Sequence, residues 1–263
     1  KTSSAASDVY KRQLWENNPH LTPLKDDEAD LRTIECRYPL VNFANERPYH
    51  FLHGFIHYLN GQLRLAIRPW EIRGDIHLSD NEYDAPSAVE KMLGQDIPFW
   101  IVCAGGKYDF TIKWWDHERY QRVVNQFKDR ILFVQIGKSK HHHPPLDNVI
   151  NLTGKTSLRD LVRLVFHAQG VLCPVTGVMH LAAAVPMKPG SQAPRPCVVV
   201  AGGREPPHWE AYPNHQFLHT VGMLPCCKMG GCWRARTVPI GDGDKKRPAK
   251  SALRECGGGQ ASE

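Results

Sequence analysis

Short apolar runs alternate with amphipathic runs from Phe99 to Gly203. The apolar runs are rich in Val, Ile, Leu and Phe, which is typical of buried strands, whereas the amphipathic runs repeat their apolar residues at helical spacing. The predicted strands are Phe99–Ala104, Ile131–Ile136, Leu146–Leu152, a run that begins at Gly170 and a run from Pro196 to Gly203. The predicted helices are Asp116–Lys128, a run that ends at Ala168 and a run that begins at Gly177.

This alternation predicts the α/β fold class, with a Rossmann-like, doubly wound parallel sheet. Parallel strands need crossover connections, and helices in those crossovers cover both faces of the sheet. Ligands of such sheets bind where loops leave the carboxyl ends of the strands. The glycine-bearing turns that follow the predicted strands are therefore candidate binding loops.

The pattern before residue 96 is less regular. Ile34–Leu40 and Leu63–Ile67 are predicted strands, and Tyr49–Leu59 has apolar residues at helical spacing. Residues 76–95 are rich in Ser, Asp, Asn, Glu, Pro and Gly, which predicts an interdomain connection with at most a short helix. The predicted units are a remnant of an N-terminal domain over residues 14–75, the connection over 76–95 and a Rossmann-like domain over 96–225.

The two ends of the chain differ from the rest in composition. Residues 1–13 resemble a translated sequencing-adapter peptide and are excluded from the fold prediction. On that interpretation, natural sequence precedes residue 14 and the chain is a fragment of a longer protein. Residues 226–263 contain several cysteines and end in a stretch rich in Gly, Lys and Arg, which predicts a mobile tail.

The composition is that of a globular protein. The chain has 263 residues, of which 41% are hydrophobic and 23% charged, and this is enough to bury a substantial core. It has no apolar run of the roughly 18 residues that span a membrane and no hydrophobic signal core, so a cytoplasmic location is expected. The formal net charge of +6 suits an anionic ligand or a membrane surface, but simple solubility explains it equally well.

Gly154-Lys155-Thr156 invites comparison with the phosphate loop of nucleotide hydrolases. That loop needs a glycine five positions before Gly154, where this chain has Val149 inside a predicted strand. The hydrolase motif is therefore rejected. Thr156 or Ser157 is predicted to cap the following helix, with Asp160 in its first turn.

Thr176 to His180 form a stronger candidate for phosphate binding. A tight turn from Pro174 to Gly177 would present amide donors and a hydroxyl at the start of a helix, whose partial positive charge favours a diphosphate. The alternative is an ordinary strand-to-helix turn in which His180 caps a neighbouring element. Spacing alone does not separate the two interpretations.

Lys113 lies between the Gly105-Gly106 turn and a predicted helix, where its ammonium could reach a phosphate at the same edge of the sheet. A surface lysine would look identical in the sequence. Trp114, Trp115 and Trp209 are interpreted as core or interface anchors, with Trp209 near the expected ligand edge.

Three clusters contain potential metal ligands. His53 and His57 lie one helical turn apart, but no third ligand is evident, and partly buried packing residues are the favoured interpretation. The histidine run 141–143 suits a solvated loop better than a metal tract.

Four cysteines near the C-terminus are either a metal cluster or reduced thiols. Two of them are adjacent, which is awkward for ligands of one metal, and their spacing differs from that of zinc ribbons. These cysteines are Cys226, Cys227, Cys232 and Cys256.

Three segments together resemble glycosyltransferase family 9, the ADP-heptose:lipopolysaccharide heptosyltransferase-like proteins. They are Leu152–Leu158, the segment from Thr176-Gly177 to Ala184, and the glycine-rich strand end followed by Lys113-Trp114. The resemblance extends well over residues 98 to about 215 and more loosely over 30 to 75. It implies a two-domain GT-B architecture in which the C-terminal domain holds the nucleotide sugar and the N-terminal domain holds the acceptor. It also implies an inverting transfer that requires no metal.

The resemblance further implies roles for individual residues. Lys113 would contact the donor phosphates or sugar, and Gly105 and Gly106 would border the phosphates. The segment that starts the helix would supply amides to the diphosphate, with His180 in the same helical turn. The donor-binding residues implied in this way are Gly105, Gly106, Lys113, Thr176, Gly177, Val178, Met179 and His180.

The chain departs from the family pattern in three places. Val175 stands before the Thr-Gly pair where an acidic residue is usual, and Gly137 is followed by Lys-Ser-Lys-His-His-His where an acidic residue is common. The general-base carboxylate expected early in the N-terminal domain would lie in sequence that precedes residue 14. The fragment is therefore expected to bind donor poorly and to turn over little.

The implied function is transfer of a sugar, expected to be heptose from ADP-heptose, to a glycan such as the lipopolysaccharide core or to a protein. No nucleic-acid partner is expected, and peripheral association with the inner membrane surface is an expectation. The related autotransporter heptosyltransferase branch has a cysteine-rich segment that binds iron. A relationship to that branch implies structural iron or zinc at the four C-terminal cysteines. Two alternatives stay open: a GT-B sugar-nucleotide epimerase, and a non-catalytic metal-stabilised module that binds nucleic acid or a partner.

Overall fold

The computed structural model describes residues 12–21, 34–36, 49–191 and 194–233. Within these residues, six parallel strands form one sheet in the order β3-β2-β1-β4-β5-β6. The strands are β1 Phe99–Val102, β2 Leu132–Gln135, β3 Val149–Asn151, β4 Gly170–Pro174, β5 Cys197–Gly202 and β6 His215–His219. The predicted doubly wound α/β sheet is confirmed.

Helices precede the sheet and connect its strands. They are α1 Phe51–Leu63, α2 Asp80–Asp84, α3 Ala88–Leu93, α4 His117–Phe127, α5 Leu158–His167, α6 Gly177–Ala184 and α7 Pro207–Glu210. Single 3₁₀ turns cover Thr111–Lys113 and Pro225–Cys227, and residues 12–15 are also helical. Within the described residues, no helix is long and apolar enough to cross a membrane.

Buried side chains cover both faces of the sheet because successive strand residues point to opposite sides. Ile101 and Val134 face the larger core cluster, which α5 and α6 cover. Val102 and Phe133 face the smaller one, which contains buried residues of α4. Because the helices cover the two faces, the carboxyl edge of the sheet is formed by loops.

Local capping confirms the interpretation of the Gly154 segment. Val149 lies in β3, as predicted, so no glycine-rich loop precedes Gly154. Ser157 is the N-cap of α5: its hydroxyl accepts a hydrogen bond from the backbone N–H of Asp160 at 3.1 Å, and the Asp160 carboxylate accepts one from Ser157 N–H at 3.0 Å. This reciprocal arrangement satisfies two amides that the helix start leaves unpaired.

A buried arginine joins the ends of two helices. Arg195 is 3% exposed. Its guanidinium donates to carbonyl groups at or just beyond the C-termini of α5 and α6, which lack partners inside the helices. The acceptors are the carbonyl oxygens of Phe166, Ala168, Ala182, Val185 and Pro186. Arg195 therefore fixes both helices from the edge opposite the binding loops.

Several details differ from the sequence prediction. The predicted strand Leu63–Ile67 is wrong: α1 continues to Leu63, and the amide of Asn60 then bonds to both the N–H and the carbonyl of Ile67. Residues 76–95 contain two short helices instead of at most one, and they pack on the core through Val89. Ile34–Cys36 are irregular, and the rest of the strand predicted there lies outside the described residues.

Residues 226–233, predicted as the start of a mobile tail, pack against the loop after β5. Cys227 is 1% exposed. The backbone N–H of Cys232 donates to the carbonyl of Gly203 at 3.1 Å, and that of Trp233 donates to the carbonyl of Arg204 at 3.1 Å. These hydrogen bonds fix the conformation of the β5 loop, which the sequence alone did not indicate.

Candidate functional site

A cleft of about 620 Å³ opens at the carboxyl edge of the sheet. It lies between the ends of β1 and β4, which are neighbours in the sheet although β2 and β3 separate them in the chain. The chain winds outward in opposite directions from these two strands, and such a switch point is where doubly wound sheets bind ligands. The cleft is lined by parts of the loops after β1, β2, β3 and β4.

The start of α6 forms one wall of this cleft. Thr176 is the N-cap, in an extended conformation, and its side chain makes no capping hydrogen bond. Thr176, Gly177 and Val178 all line the cleft. A Cβ added to Gly177 would meet no atom within 4 Å, so the first helical residue borders open space. The backbone amides of this turn are therefore accessible to an anion at the positive end of the helix.

The glycine turn after β1 forms the neighbouring wall. Gly105 has φ +124°, and a Cβ there would lie 1.9 Å from the carbonyl oxygen of His142. Gly106 pairs with His142 in an antiparallel bridge with N–O distances of 2.9 and 3.0 Å. Only glycine combines this backbone conformation with so close an approach. The turn is thereby held against the loop that follows β2.

The histidine run 141–143, predicted to be a solvated loop, contributes to the cleft. His141 and His143 line it, and the ring of His142 stacks on Trp114 with centroids 4.0 Å apart. Burial lowers the pKa of His143 to about 4, so its imidazole is neutral at pH 7. The run is a partly exposed loop, with residues 138–140 on the surface, but contacts with Gly106 and Trp114 hold its histidines against the sheet edge. The three histidines do not form a metal cluster in the part of the chain described here.

Lys113 reaches the cleft from the 3₁₀ turn Thr111–Lys113. Its Nζ lies 2.7 Å from Oε1 of Glu205, and Arg204 pairs with the same carboxylate. Burial lowers the pKa of Lys113 to about 8, assisted by Arg204 and opposed by Glu210. Lys113 is thus still mainly protonated at pH 7 and sits in a compact group of two cations and two buried carboxylates.

The remaining predicted residues lie behind the cleft wall. Met179 is fully buried. His180 does not line the cleft; its Nδ1 lies 2.8 Å from the hydroxyl of Tyr212, and its Nε2 lies 3.8 Å from Oε2 of Glu210. Burial, followed by the charge of Lys113, lowers the pKa of His180 to about 4. Its side chain therefore supports the cleft wall from outside.

Sequence reasoning missed the carboxylates of this group. Glu205 follows the glycine pair at the end of β5, and Glu210 ends α7. Burial raises the pKa of Glu210. The sequence offered one signal, because Glu205 lies just beyond the glycine pair that ends β5. Its ion-pair partner Lys113, however, is remote in the sequence.

Two of the C-terminal cysteines, Cys227 and Cys232, lie beside the loop that carries Glu205. A Cβ on Gly203 would sit 3.3 Å from Sγ of Cys227, whose thiol donates towards the carbonyls of Thr220 and Leu224. The backbone of Cys232 binds Gly203. The side chain of Cys226 and all of Cys256 lie outside the described residues, so a metal at the four cysteines stays a prediction.

The model of the family named "Glycosyltransferase family 9 (heptosyltransferase)" matches residues 56–190, slightly more than half of the chain. The chain belongs to glycosyltransferase family 9. The match contains the Gly105-Gly106 turn, Lys113 and the start of α6. The resemblance stated from the sequence is confirmed.

Several solved structures are similar to this chain at low sequence identity. The family 9 glycosyl transferase from Veillonella parvula DSM 2008 is 17% identical with a TM-score of 0.50, over 66% of this chain and 50% of that one. Escherichia coli ADP-heptose LPS heptosyltransferase II is 21% identical with a TM-score of 0.42, over 56% and 44%. E. coli heptosyltransferase WaaC with ADP is 18% identical with a TM-score of 0.47, over 67% and 52%.

This chain therefore spans about half the length of these three solved structures. The Veillonella structure supports the expected GT-B-type fold class for the sheet described here. No curated protein sequence matches the chain.

Proposed function

We propose that the cleft binds a nucleoside diphosphate sugar and that the intact protein transfers the sugar to an acceptor hydroxyl. The observation that carries this proposal is the accessible start of α6 at the β1/β4 switch point, where Gly177 faces open space. Backbone amides at a helix start favour phosphate groups. Membership in a family described as heptosyltransferases supports a heptose, and ADP-heptose is the proposed donor.

The transfer is proposed as a direct displacement at the anomeric carbon. The acceptor oxygen forms its bond to that carbon from one side while the bond to the diphosphate oxygen breaks on the other, so the configuration inverts. Charge that develops on the leaving diphosphate is offset by the amides of Gly177 and Val178 and by the ammonium of Lys113. The proposed reaction needs no metal ion.

A carboxylate is proposed to deprotonate the acceptor hydroxyl. Among the described residues that line the cleft, none is Asp or Glu. The base is proposed to come from the N-terminal domain, to which residues 14–75 are assigned. The acceptor is proposed to be a glycan such as the lipopolysaccharide core, or a protein, at the cytoplasmic face of the inner membrane.

Calorimetric titration with ADP and with ADP-heptose tests the donor site. Lys113→Ala is expected to weaken binding by about ten-fold or more, because a charge-assisted contact to phosphate is lost. Lys128→Ala is the matched control, since Lys128 is exposed at the C-terminal end of α4, away from the cleft. Equal affinity of the Lys113 variant and the wild type would remove the role assigned to Lys113.

The reaction type needs a separate measurement on the intact protein. Product formation with and without a glycan acceptor distinguishes transfer from epimerisation, because an epimerase alters the nucleotide sugar without an acceptor. Acceptor-dependent release of ADP is the expected result.

A further inference from the structure

Three potential metal ligands meet outside the cleft, where residues 12–21 contact the segment that precedes α2. His20, Asp75 and His77 each offer one ligand atom, and these atoms lie within 4.8 Å of one another. Nε2 of His77 is 2.9 Å from Oδ2 of Asp75, and the rings of His20 and His77 are 6.0 Å apart in an edge-on arrangement. In the part of the chain that the structure describes, no other group of His, Cys, Asp or Glu meets this spacing.

Burial explains why two of these side chains share one face. Ile76 and Leu78 are each 7% exposed and pack into the core, whereas Asp75 is exposed and His77 half-buried. Side chains alternate along an extended segment, so Asp75 and His77 both point outward.

The backbone beneath these ligands is fixed by polar contacts. The carbonyl of His77 accepts a hydrogen bond from Arg159 at 2.8 Å, and Arg159 is itself buried and ion-paired with Glu82. The amide side chain of Asn18 spans the two ligand-bearing segments: its Nδ2 donates to the carbonyl of Asp75 at 3.1 Å, and its Oδ1 accepts from the N–H of His20 at 2.9 Å. The three ligands are therefore held close before any ion arrives.

We infer that His20, Asp75 and His77 bind a divalent transition metal ion such as Zn²⁺. Two imidazole nitrogens and one carboxylate oxygen are a donor set that suits Zn²⁺ and neighbouring late transition metals, whereas Ca²⁺ and Mg²⁺ require oxygen ligands. Tetrahedral zinc with bonds of about 2.0 Å places its ligand atoms roughly 3.3 Å apart. Small rotations of these accessible side chains reach that spacing, and water completes the fourth position.

The bound ion cross-links residues 12–21, through His20, to the segment that leads into α2, through Asp75 and His77. None of the three ligands lines the cleft, although Leu14 of the same N-terminal segment does. Metal binding here stabilises the chain by mass action.

Competition for Zn²⁺ against a chromophoric chelator, with the full chain, tests this site. His20→Ala and His77→Ala are each expected to bind one zinc ion fewer per chain than the wild type. His57→Ala is the matched control, because His57 is an exposed histidine of α1 outside the three-residue group. Zinc held by cysteines is unchanged across these variants, so the difference isolates the histidine site.

Thermal unfolding separates loss of the ion from loss of the fold. In chelator, both variants are expected to unfold at the wild-type temperature, and added Zn²⁺ is expected to raise that temperature for the wild type and for His57→Ala only. Identical zinc stoichiometry in the wild type and both variants would overturn the proposal, and so would a wild-type chain that gains no stability from zinc.

Discussion

Nζ of Lys113 lies 2.7 Å from Oε1 of Glu205, with the two side chains 21% and 3% exposed. Arg204 pairs with the same carboxylate, so one buried anion holds two cations beside the cleft. Glu205 thus keeps Lys113 ordered on the cleft wall. It also compensates a positive charge that would otherwise be costly to bury.

Glu205→Gln is expected to destabilise the fold by about 3 kcal/mol, because removing one partner of a buried ion pair leaves the other charges uncompensated. Urea unfolding at pH 7 measures this change. Asp96→Asn is the matched control: Asp96 pairs with Lys188 at 3.7 Å, but both side chains are exposed. Such a surface pair contributes at most about 1 kcal/mol. Equal effects of the two substitutions would contradict the assignment to Glu205.

Donor affinity is expected to fall as the pH rises from 7 to 9. Burial lowers the pKa of Lys113 to about 8 in the free protein, so the ammonium loses its proton within this range. The decrease is up to about ten-fold if only the charged form binds the diphosphate. Titrations with ADP-heptose at several pH values measure it. The arginine of Lys113→Arg stays protonated over this range, so donor affinity of this variant is expected to change little with pH. If the affinity of the wild type were equally independent of pH, Lys113 would not be the titrating group.

The hydrophobic pattern was sufficient to predict most of the sheet, because β1, β2 and β4 are short apolar runs buried on both faces. It missed β6, His215–His219, whose residues are mixed in polarity and mainly exposed. This strand forms by pairing with β5 at the sheet edge. A local pattern does not report such pairing.

The cleft-lining residues that the sequence indicated, Gly105, Gly106, Lys113 and Thr176 to Val178, all lie in segments that follow a glycine-bearing strand end. Thr176 to Val178 were found because a strand end, a glycine and a helix start are contiguous in the sequence. Glu205 was missed because its significance comes from Lys113, which a different β–α connection places beside it. The contribution of the histidine loop to the cleft was missed for a similar reason: the stacking of His142 on Trp114 is a tertiary contact between two loops.

Two glycines next to the cleft are expected to respond differently to alanine. Gly177→Ala adds a methyl group in open space within the first turn of α6, so stability should be unchanged or up to about 1 kcal/mol higher. The same methyl group stands where a diphosphate would approach the amides, so ADP affinity should fall. Calorimetry and urea unfolding on the same preparation separate the two effects. If Gly177→Ala retained full ADP affinity, the start of α6 would not be the diphosphate site.

Gly105→Ala is the counterpart of Gly177→Ala. It forces a side chain into a positive-φ conformation and against the carbonyl of His142, which is expected to cost about 2 kcal/mol or more.

Arg195→Met is expected to destabilise the chain by about 3 kcal/mol or more, because hydrogen bonds to a buried charged group are lost and several carbonyls at the ends of α5 and α6 lose their donor. Burial lowers the pKa of Arg195 to about 10, so the guanidinium is charged at pH 7. Arg122→Met on the exposed side of α4 is the control, with an expected change within about 0.5 kcal/mol.

Arg195 binds the helix ends at the edge of the sheet opposite the cleft. ADP affinity of the folded Arg195→Met variant should therefore match the wild type at a temperature well below its unfolding transition. Urea unfolding and calorimetric titration together test this separation of stability from binding. A variant with wild-type stability would show that the α5 and α6 carbonyls do not depend on this side chain.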